Sequence, residues 1–292
     1  MVITNKANLP QAFVNFVSNV RHNKKGYLSA TTLLKGEKEI ILSDRHFDEI
    51  EQDASDMVWA SFGTALHAIM EKQEDDAFKE EYFECQVGAF KVTGRVDRYD
   101  MESETLEDWK TASTWKVIYQ EFDDWKRQGL IYAWLMKQQN LPVRKCRFIA
   151  LLKDHSKTKA KTDPLYPQKS VFVYEFDVNQ SDLDEIEVFI KNKVQGIQNA
   201  YERNDDDIEP CSAEERWESA TKWAVMKDGR KTAVRLFDTE TEAKEFIERP
   251  ELKGNHFVEK RCGESKKCGE YCACKEFCNF YKNCVLGDSA TE

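Results

Sequence analysis

Asp97, Asp108 and Lys110 are the residues of this chain whose types and spacing could do chemistry together. They stand in Gly94-Arg95-Val96-Asp97 and Leu106-Glu107-Asp108-Trp109-Lys110, two strand-like runs joined by a short polar connection. Asp108 and Lys110 are two positions apart, so on a strand they point to the same side, and a hairpin can bring Asp97 beside them. Two carboxylates and an ammonium then converge. Carboxylate oxygens suit hard ions such as Mg²⁺ or Mn²⁺. Such an ion polarises a phosphate and lowers the pKa of an attacking water. A lysine beside it can orient or deprotonate that water and offset developing negative charge. The plainer alternative is an exposed hairpin with ordinary surface charges. Glu107 competes as the acidic ligand, but it points to the opposite strand face from Lys110.

These residues need elements to position them. Ser55 to Lys72 carries Val58, Phe62, Ala65, Leu66 and Ile69 at helical spacing. On the same segment Gly63, His67 and Glu71 recur every four residues and share a face. Strand-like runs follow at Tyr82 to Val87, Phe90 to Tyr99 and Thr105 to Lys110, then a helix over Val117 to Gln138 with Gln128 and Tyr132 one turn apart. Lys145 to Leu152 reads as a strand with Cys146, Phe148, Ala150 and Leu152 on one side, Val171 to Val178 as its neighbour, and Leu183 to Glu202 as a helix. Residues 1 to 50 read as a helical lead-in and a polar connection. The acidic stretch Asp205 to Glu209 before Pro210 reads as a linker, which gives domains of 1–204 and 205–292.

In that order (helix with His, strand with Asp, strand with Asp-x-Lys, helix with Gln-x-x-x-Tyr) the chain resembles the PD-(D/E)xK nuclease superfamily, in its RecB-like exonuclease branch. The matching pieces are Gly63-Thr64-Ala65-Leu66-His67-Ala68-Ile69-Met70-Glu71, Gly94-Arg95-Val96-Asp97, Asp108-Trp109-Lys110-Thr111 and Gln128-Gly129-Leu130-Ile131-Tyr132. The resemblance covers about residues 27 to 178, and valine stands where the nominal motif has proline before Asp97. The resemblance implies that Asp97, Asp108 and the Trp109 carbonyl hold Mg²⁺ or Mn²⁺, with His67 as a further ligand. It implies that Lys110 acts on the nucleophilic water and that Gln128 and Tyr132 contact DNA or brace the site. Glu71 keeps the reading of a solvated helix charge. The implied fold is α/β, a restriction-endonuclease-like central mixed sheet flanked by helices. The Ser29-Ala30-Thr31-Thr32-Leu33 lead-in is also similar to phage-encoded exonucleases.

Beyond the acidic stretch, Trp223 to Met226 and Thr232 to Phe237 flank Asp228-Gly229, a hairpin signal because both turn positions need positive φ. Pairing across that turn puts Trp223, Val225, Val234 and Leu236 on one face. Thr239 and Glu242 suit a capping box before a helix with Ala243, Phe246 and Ile247, and Asn255 to Lys260 adds a strand. The tail holds Cys262, Cys268, Cys272, Cys274, Cys278 and Cys284, with Cys211 upstream, whereas Cys85 and Cys146 sit in apolar runs and read as buried structural thiols. Cys268-x₃-Cys272-x₅-Cys278 resembles the cysteine trio of iron–sulfur nucleases of the AddB type. Those place a fourth cysteine before the nuclease core, and here none precedes His67. Cys211 is the fourth ligand of choice, because it would tie the linker to the tail; Cys262, Cys274 and Cys284 are alternates. The implied group is a [4Fe–4S] cluster, or Zn²⁺, stapling a small α+β module.

Bulk properties bound these readings. The chain has 292 residues, 41% hydrophobic and 33% charged, with formal net charge −10. A bulk acidic balance repels nucleic acid, so a DNA site needs local basic focus or metal bridges. Residues 144 to 170 supply a candidate: Arg144, Lys145, Arg147, Lys153, Lys157, Lys159, Lys161 and Lys169 against Asp154 and Asp163, a local excess of +6. No run reads as a secretion signal or a membrane span, so the expected location is the cytoplasm, the host's if phage-encoded. The expected activity is DNA cleavage, as an exonuclease in recombination, repair or end processing. DNA ends are the expected partner, with a recombination or single-strand-binding protein as a second. A non-catalytic nucleic-acid-binding scaffold and an RNA-directed nuclease remain the alternatives, the second because Lys222, Lys227, Arg230, Lys231 and Arg235 cluster in the small module.

Overall fold

The computed structural model describes residues 1–18, 24–252 and 254–285. The chain forms two compact units, Met1–Ile208 and Glu209–Glu292. Among the described residues no helix is long and apolar enough to cross a membrane.

The first unit runs β1 (Val2–Thr4), α1 (Gln11–Val17), β2 (Tyr27–Ser29), α2 (Ala30–Leu33), α3 (Glu37–Arg45), β3 (Glu51–Asp53), α4 (Val58–Glu71), β4 (Phe78–Val87), β5 (Phe90–Asp100), β6 (Thr105–Ala112), α5 (Thr114–Ile118), α6 (Asp123–Lys137), β7 (Lys145–Leu152), α7 (Lys157–Thr162), β8 (Val171–Asp177) and α8 (Gln180–Tyr201). It is an α/β fold with a central mixed sheet flanked by helices. The sheet order is β2-β5-β6-β7-β8, with β4 also paired to β5. β6 and β7 are parallel, which requires a crossover rather than a tight turn. That crossover is α5 and α6, and it lays α6 over the sheet. Gln128 through Met136 of α6 are all buried, because the helix is covered by α8 as well as by the sheet. In β7 the side chains of Cys146, Phe148, Ala150 and Leu152 alternate into the core, as their spacing predicts.

Several local expectations change. Residues 1 to 50 do not end in a polar connection: Lys38 to Leu42 of α3 are buried, and Lys38 donates to the Ile208 carbonyl at 2.7 Å. The acidic stretch is not a free linker either. Asp205 accepts from Arg45 at 2.6 Å and pairs with His46 at 2.7 Å, and Ile208 is part of the core, so the first unit extends to Ile208 rather than to residue 204. The helix expected over Val117 to Gln138 is two helices, interrupted where Gln120 takes a φ of +56°. On α4 the apolar positions Val58, Phe62 and Ile69 are 40, 53 and 58% exposed instead of buried. The helix turns its Gly63 side towards β6, where a Cβ on Gly63 would lie 3.9 Å from the Thr111 hydroxyl.

In the second unit β9 (Lys222–Lys227) is the centre of a three-stranded antiparallel sheet, flanked by β10 (Arg235–Phe237) and β11 (His256–Arg261). Between β10 and β11 lies α9 (Glu240–Ile247), which opens on the Thr239–Glu242 capping box; α10 (Lys266–Glu270) follows β11. The hairpin register differs from the expected one. Gly229 has φ +80°, but among the described residues Asp228 does not share positive φ, so the two-residue turn is not made. Val225 instead faces Arg235, and Leu236 lies opposite Ala224, off the face of Trp223 and Val225.

Candidate active site

The site forms where the sheet opens. One edge of β5 is shared by two strands: β2 pairs with Lys91–Thr93 and β6 with Arg98–Asp100. Among the described residues, 94–97 therefore have no strand partner on that edge. Asp97 uses the gap: its Oδ2 accepts the Trp109 backbone N–H at 2.7 Å, a donor that a continuing ladder would have sent to a β5 carbonyl. Gly94 lies at the other end of the gap because α6 comes close there. A Cβ at Gly94 would stand 2.7 Å from Tyr132 Cδ1 and 2.8 Å from Leu135 Cδ1.

Two side-chain groups meet at this opening. The first joins α4, β4 and β5: His67 Nδ1 lies 3.1 Å from Asp97 Oδ1 and 3.8 Å from Glu80 Oε1. These three residues offer ligand atoms within 4.8 Å of one another. The sequence reading did not single out Glu80. It becomes visible through register, because Lys79 pairs with Arg98 and Glu81 with Val96, which sets Glu80 opposite Asp97. Glu80 has φ +51° in mid-strand, a left-handed conformation disfavoured for a residue with a Cβ and one that concentrates at functional sites. A hairpin over Phe78 to Asp100, drawn from the sequence with that register, would have found it.

The second group is a hydrogen-bonded chain from β6 to α6. Lys110 Nζ lies 2.6 Å from Asp108 Oδ2 and donates to Gln128 Oε1 at 2.9 Å. Gln128 Nε2 donates to Asp108 Oδ1 at 3.3 Å and to the Tyr132 hydroxyl at 2.9 Å. Gln128 thus fixes both the acid and the ammonium, and its own orientation is set by Tyr132. Asp108 is 1% exposed.

The electrostatics tie the two groups together. Burial pushes the Asp108 carboxyl up to about 6; Lys110 opposes this and the charge of Asp97 adds to it. Burial raises Glu80, and Asp97 raises it further. His67 is raised by its hydrogen bond to Asp97, against the opposing effect of burial. Burial also raises the Tyr132 hydroxyl above the ordinary tyrosine value, which keeps it neutral. Three carboxylates, Glu80, Asp97 and Asp108, thus face Lys110, the His67 imidazole and the partly exposed Arg95 guanidinium, 3.9 Å from Glu80 Oε2. Carboxylate oxygens with one imidazole nitrogen, gathered within 4.8 Å in His67, Glu80 and Asp97, suit a divalent cation such as Mg²⁺ or Mn²⁺. The donor set fits the ion that the sequence implies.

A cleft of about 440 Å³ opens on His67, Glu80, Asp97 and Trp109. Arg98 and Arg147 also line it, and both bind Glu107, at 2.7 and 2.9 Å. Glu107, the competing acid, is therefore committed to two guanidinium groups. Glu71 is exposed at the cleft rim. Of the residues singled out in the sequence, His67 and Asp97 meet in one group, and Asp108, Lys110, Gln128 and Tyr132 in the other. Trp109 joins them through its backbone N–H.

The cysteines of the second unit lie in a separate place in the chain. Cys274 is buried; Cys211, Cys268, Cys272 and Cys278 are half-buried; Cys262 and Cys284 are exposed. Cys272 Sγ and Cys274 Sγ are 3.6 Å apart. The segment carrying Cys211 is bound to the one carrying Cys268: Lys267 N donates to the Arg216 carbonyl at 3.1 Å, Ser219 N to the Glu264 carbonyl at 3.0 Å, and the Arg216 guanidinium to the Cys211 carbonyl. In the first unit Cys146 is buried and Cys85 half-buried.

No protein-family model matches the chain, and no curated protein matches it. Several solved structures are similar. One, of a protein called SSO0001, is 18% identical, with 63% of this chain and 82% of that one covered and a TM-score of 0.44. A phage related exonuclease from Haemophilus somnus 129PT is 14% identical over 63% of this chain and 97% of its own, with a TM-score of 0.41. An alkaline exonuclease from Laribacter hongkongensis is 12% identical over 66% of this chain and 95% of its own, with a TM-score of 0.37.

Proposed function

We propose that this chain is a metal-dependent deoxyribonuclease, an exonuclease of recombination, repair or end processing, that hydrolyses phosphodiester bonds. One observation carries the reading. His67, Glu80 and Asp97 gather their ligand atoms beside the buried Asp108–Lys110–Gln128 chain. A structural ion-pair cluster has no need of two carboxylates and an imidazole with their ligand atoms within 4.8 Å of one another. The motif order described above supplies the reaction class.

His67, Glu80, Asp97 and Asp108 would hold Mg²⁺ or Mn²⁺, with the Trp109 carbonyl as a further ligand. When bound, the ion supplies charge to the scissile phosphate and acidity to an attacking water. Lys110 orients that water and offsets the charge developing on the phosphate. Its ammonium is held in place by Asp108 and Gln128, so little reorganisation is needed during reaction. Tyr132, neutral and packed beside Gly94, holds Gln128. The exposed Lys157, Lys159, Lys161 and Lys169 bind the phosphate backbone.

The second unit holds a structural metal centre on Cys211, Cys268, Cys272 and Cys278, a [4Fe–4S] cluster with Zn²⁺ as the second choice; Cys274 competes for one position. Two thiolates on one tetrahedral zinc stand about 3.8 Å apart given Zn–S bonds near 2.3 Å, so the 3.6 Å between Cys272 Sγ and Cys274 Sγ favours the Zn²⁺ alternative with Cys274 as a ligand.

The test is degradation of end-labelled linear DNA against a closed circle, with Mg²⁺, Mn²⁺ or EDTA, and with RNA of matched sequence alongside. Loss of ends in either metal, sparing of the circle, and loss of activity in Asp108→Asn and Lys110→Ala are expected. Wild-type rates in either variant would overturn the assignment. Cutting of the circle would make it an endonuclease, and preference for RNA would move it to the other substrate.

A further inference from the structure

Exposed aromatic side chains gather beside the candidate site on the carboxyl ends of β6 and β7. On α4, Trp59 and Phe62 are 55 and 53% exposed and pack edge to face. On α5, Trp115 and Tyr119 are 53 and 64% exposed and their rings stack with centroids 5.7 Å apart. Lys153, at the end of β7, joins the two places. Its Nζ stands 4.5 Å from the centre of the Trp59 ring, and its backbone N–H donates to the Ala112 carbonyl of β6 at 2.9 Å. The next residue, Asp154, accepts from Ser113 Oγ at 2.8 Å and from the Thr114 N–H at 2.7 Å, which fixes the start of α5.

The distances from the chemistry are short. Lys110 lies three residues before Ser113, about 10 Å along a strand. Trp59 lies eight residues before His67, about 12 Å along the same helix. Large exposed aromatics cost solvation, and among the described residues of the first unit nothing covers these. Exposed lysines continue the surface, with Lys157, Lys159 and Lys161 on α7.

Building on the nuclease reading, we propose that Trp59, Phe62, Trp115 and Tyr119, with Lys153, form a stacking platform for single-stranded DNA that leads into the site. Unpaired bases stack on such rings regardless of sequence, while lysines follow the backbone. A duplex hides its base faces and gains only the lysine contacts. The site therefore takes single strands or frayed ends in preference to intact duplex.

The test reads binding alone, in EDTA, with the full chain, using fluorescent oligo-dT and a blunt duplex of equal length. The wild type should bind oligo-dT more tightly. Trp59→Ala and Trp115→Ala should each weaken oligo-dT binding by at least about fivefold, the lower end for loss of one stacked base, and leave duplex binding unchanged. Trp59→Phe and Trp115→Phe should keep the affinity but lose part of the tryptophan quenching that oligo-dT causes. Unchanged oligo-dT affinity in the Ala variants, equal losses for both DNAs, or full quenching in both Phe variants would overturn the platform and leave this face to a protein partner. Because no cleavage is measured, the two readings fail separately. Aromatic-dependent binding without any metal-dependent cutting would refute the nuclease, and cutting without aromatic-dependent binding would refute the platform.

Discussion

Replacing Glu80 with glycine is expected to stabilise the metal-free protein while weakening its hold on metal. Glu80 keeps φ at +51° within β4, where a Cβ costs about 1–2 kcal/mol. Its carboxylate lies within 4.8 Å of the ligand atom of Asp97. At effective dielectric constants of about 20 to 80, two charges at that spacing repel by roughly 1–3 kcal/mol. Opposing terms are smaller: partly exposed pairs with His67 and Arg95, about 0–1 kcal/mol each, and the extra unfolded-state freedom of glycine, about 0.5–1 kcal/mol. The balance is a gain of about 1–2 kcal/mol, which raises the Tm of a unit this size by roughly 2–8 °C. The assay is thermal unfolding in EDTA and in excess Mn²⁺. A ligand that binds only the folded state raises Tm by an amount that grows with the logarithm of its affinity, so the Mn²⁺-induced rise should be smaller in Glu80→Gly than in wild type, and cleavage should fall with it. A lower Tm in EDTA together with an unaltered Mn²⁺ shift would refute the reasoning, since Glu80 would then be a structural residue.

Gly94→Ala should destabilise by about 1–3 kcal/mol, as overpacking does, because the new Cβ meets the buried Tyr132 and Leu135; an unchanged urea midpoint would contradict the close approach. Burial would lower the His46 pKa, but hydrogen bonds to Asp205 and Glu49 raise it above the usual value. The stability it contributes is therefore complete below its unfolded pKa and lost as pH rises through the folded one. His46→Ala should thus cost up to about 1 kcal/mol in mild acid and progressively less in alkali, and a cost independent of pH would count against the pair. Changing Lys157, Lys159 and Lys161 to Ala should weaken DNA binding and flatten its salt dependence, because fewer phosphates are then neutralised and fewer counterions released; an unchanged slope would mark the loop as idle. Cys272→Ser should lower the melting temperature and the iron or zinc content of the full chain before it alters cleavage, and a metal-free wild type would remove the centre altogether.

What the sequence determined by itself is local. Alternation marked β7, four-residue spacing paired Gln128 with Tyr132 and Gly63 with His67, and the two-residue spacing of Asp108 and Lys110 put them on one side of β6. Capping at Thr239 and Glu242 was equally legible, since both partners lie within one helical turn. Each of these depends on backbone periods that neighbouring residues share. The tertiary structure decided what depends on register and on which face meets which. Glu80 joined the site only when β4 paired with β5, because a cross-strand neighbour cannot be read from spacing along one strand. The apolar stripe of α4 reads as core from its period, yet the helix rests on its Gly63 side and leaves Val58, Phe62 and Ile69 in solvent. Lys38 looks like a surface charge until α3 is buried and the Ile208 carbonyl supplies its partner. Hydrophobic period says that a face will pack or bind; only the arrangement of the other elements says whether this chain or a ligand covers it.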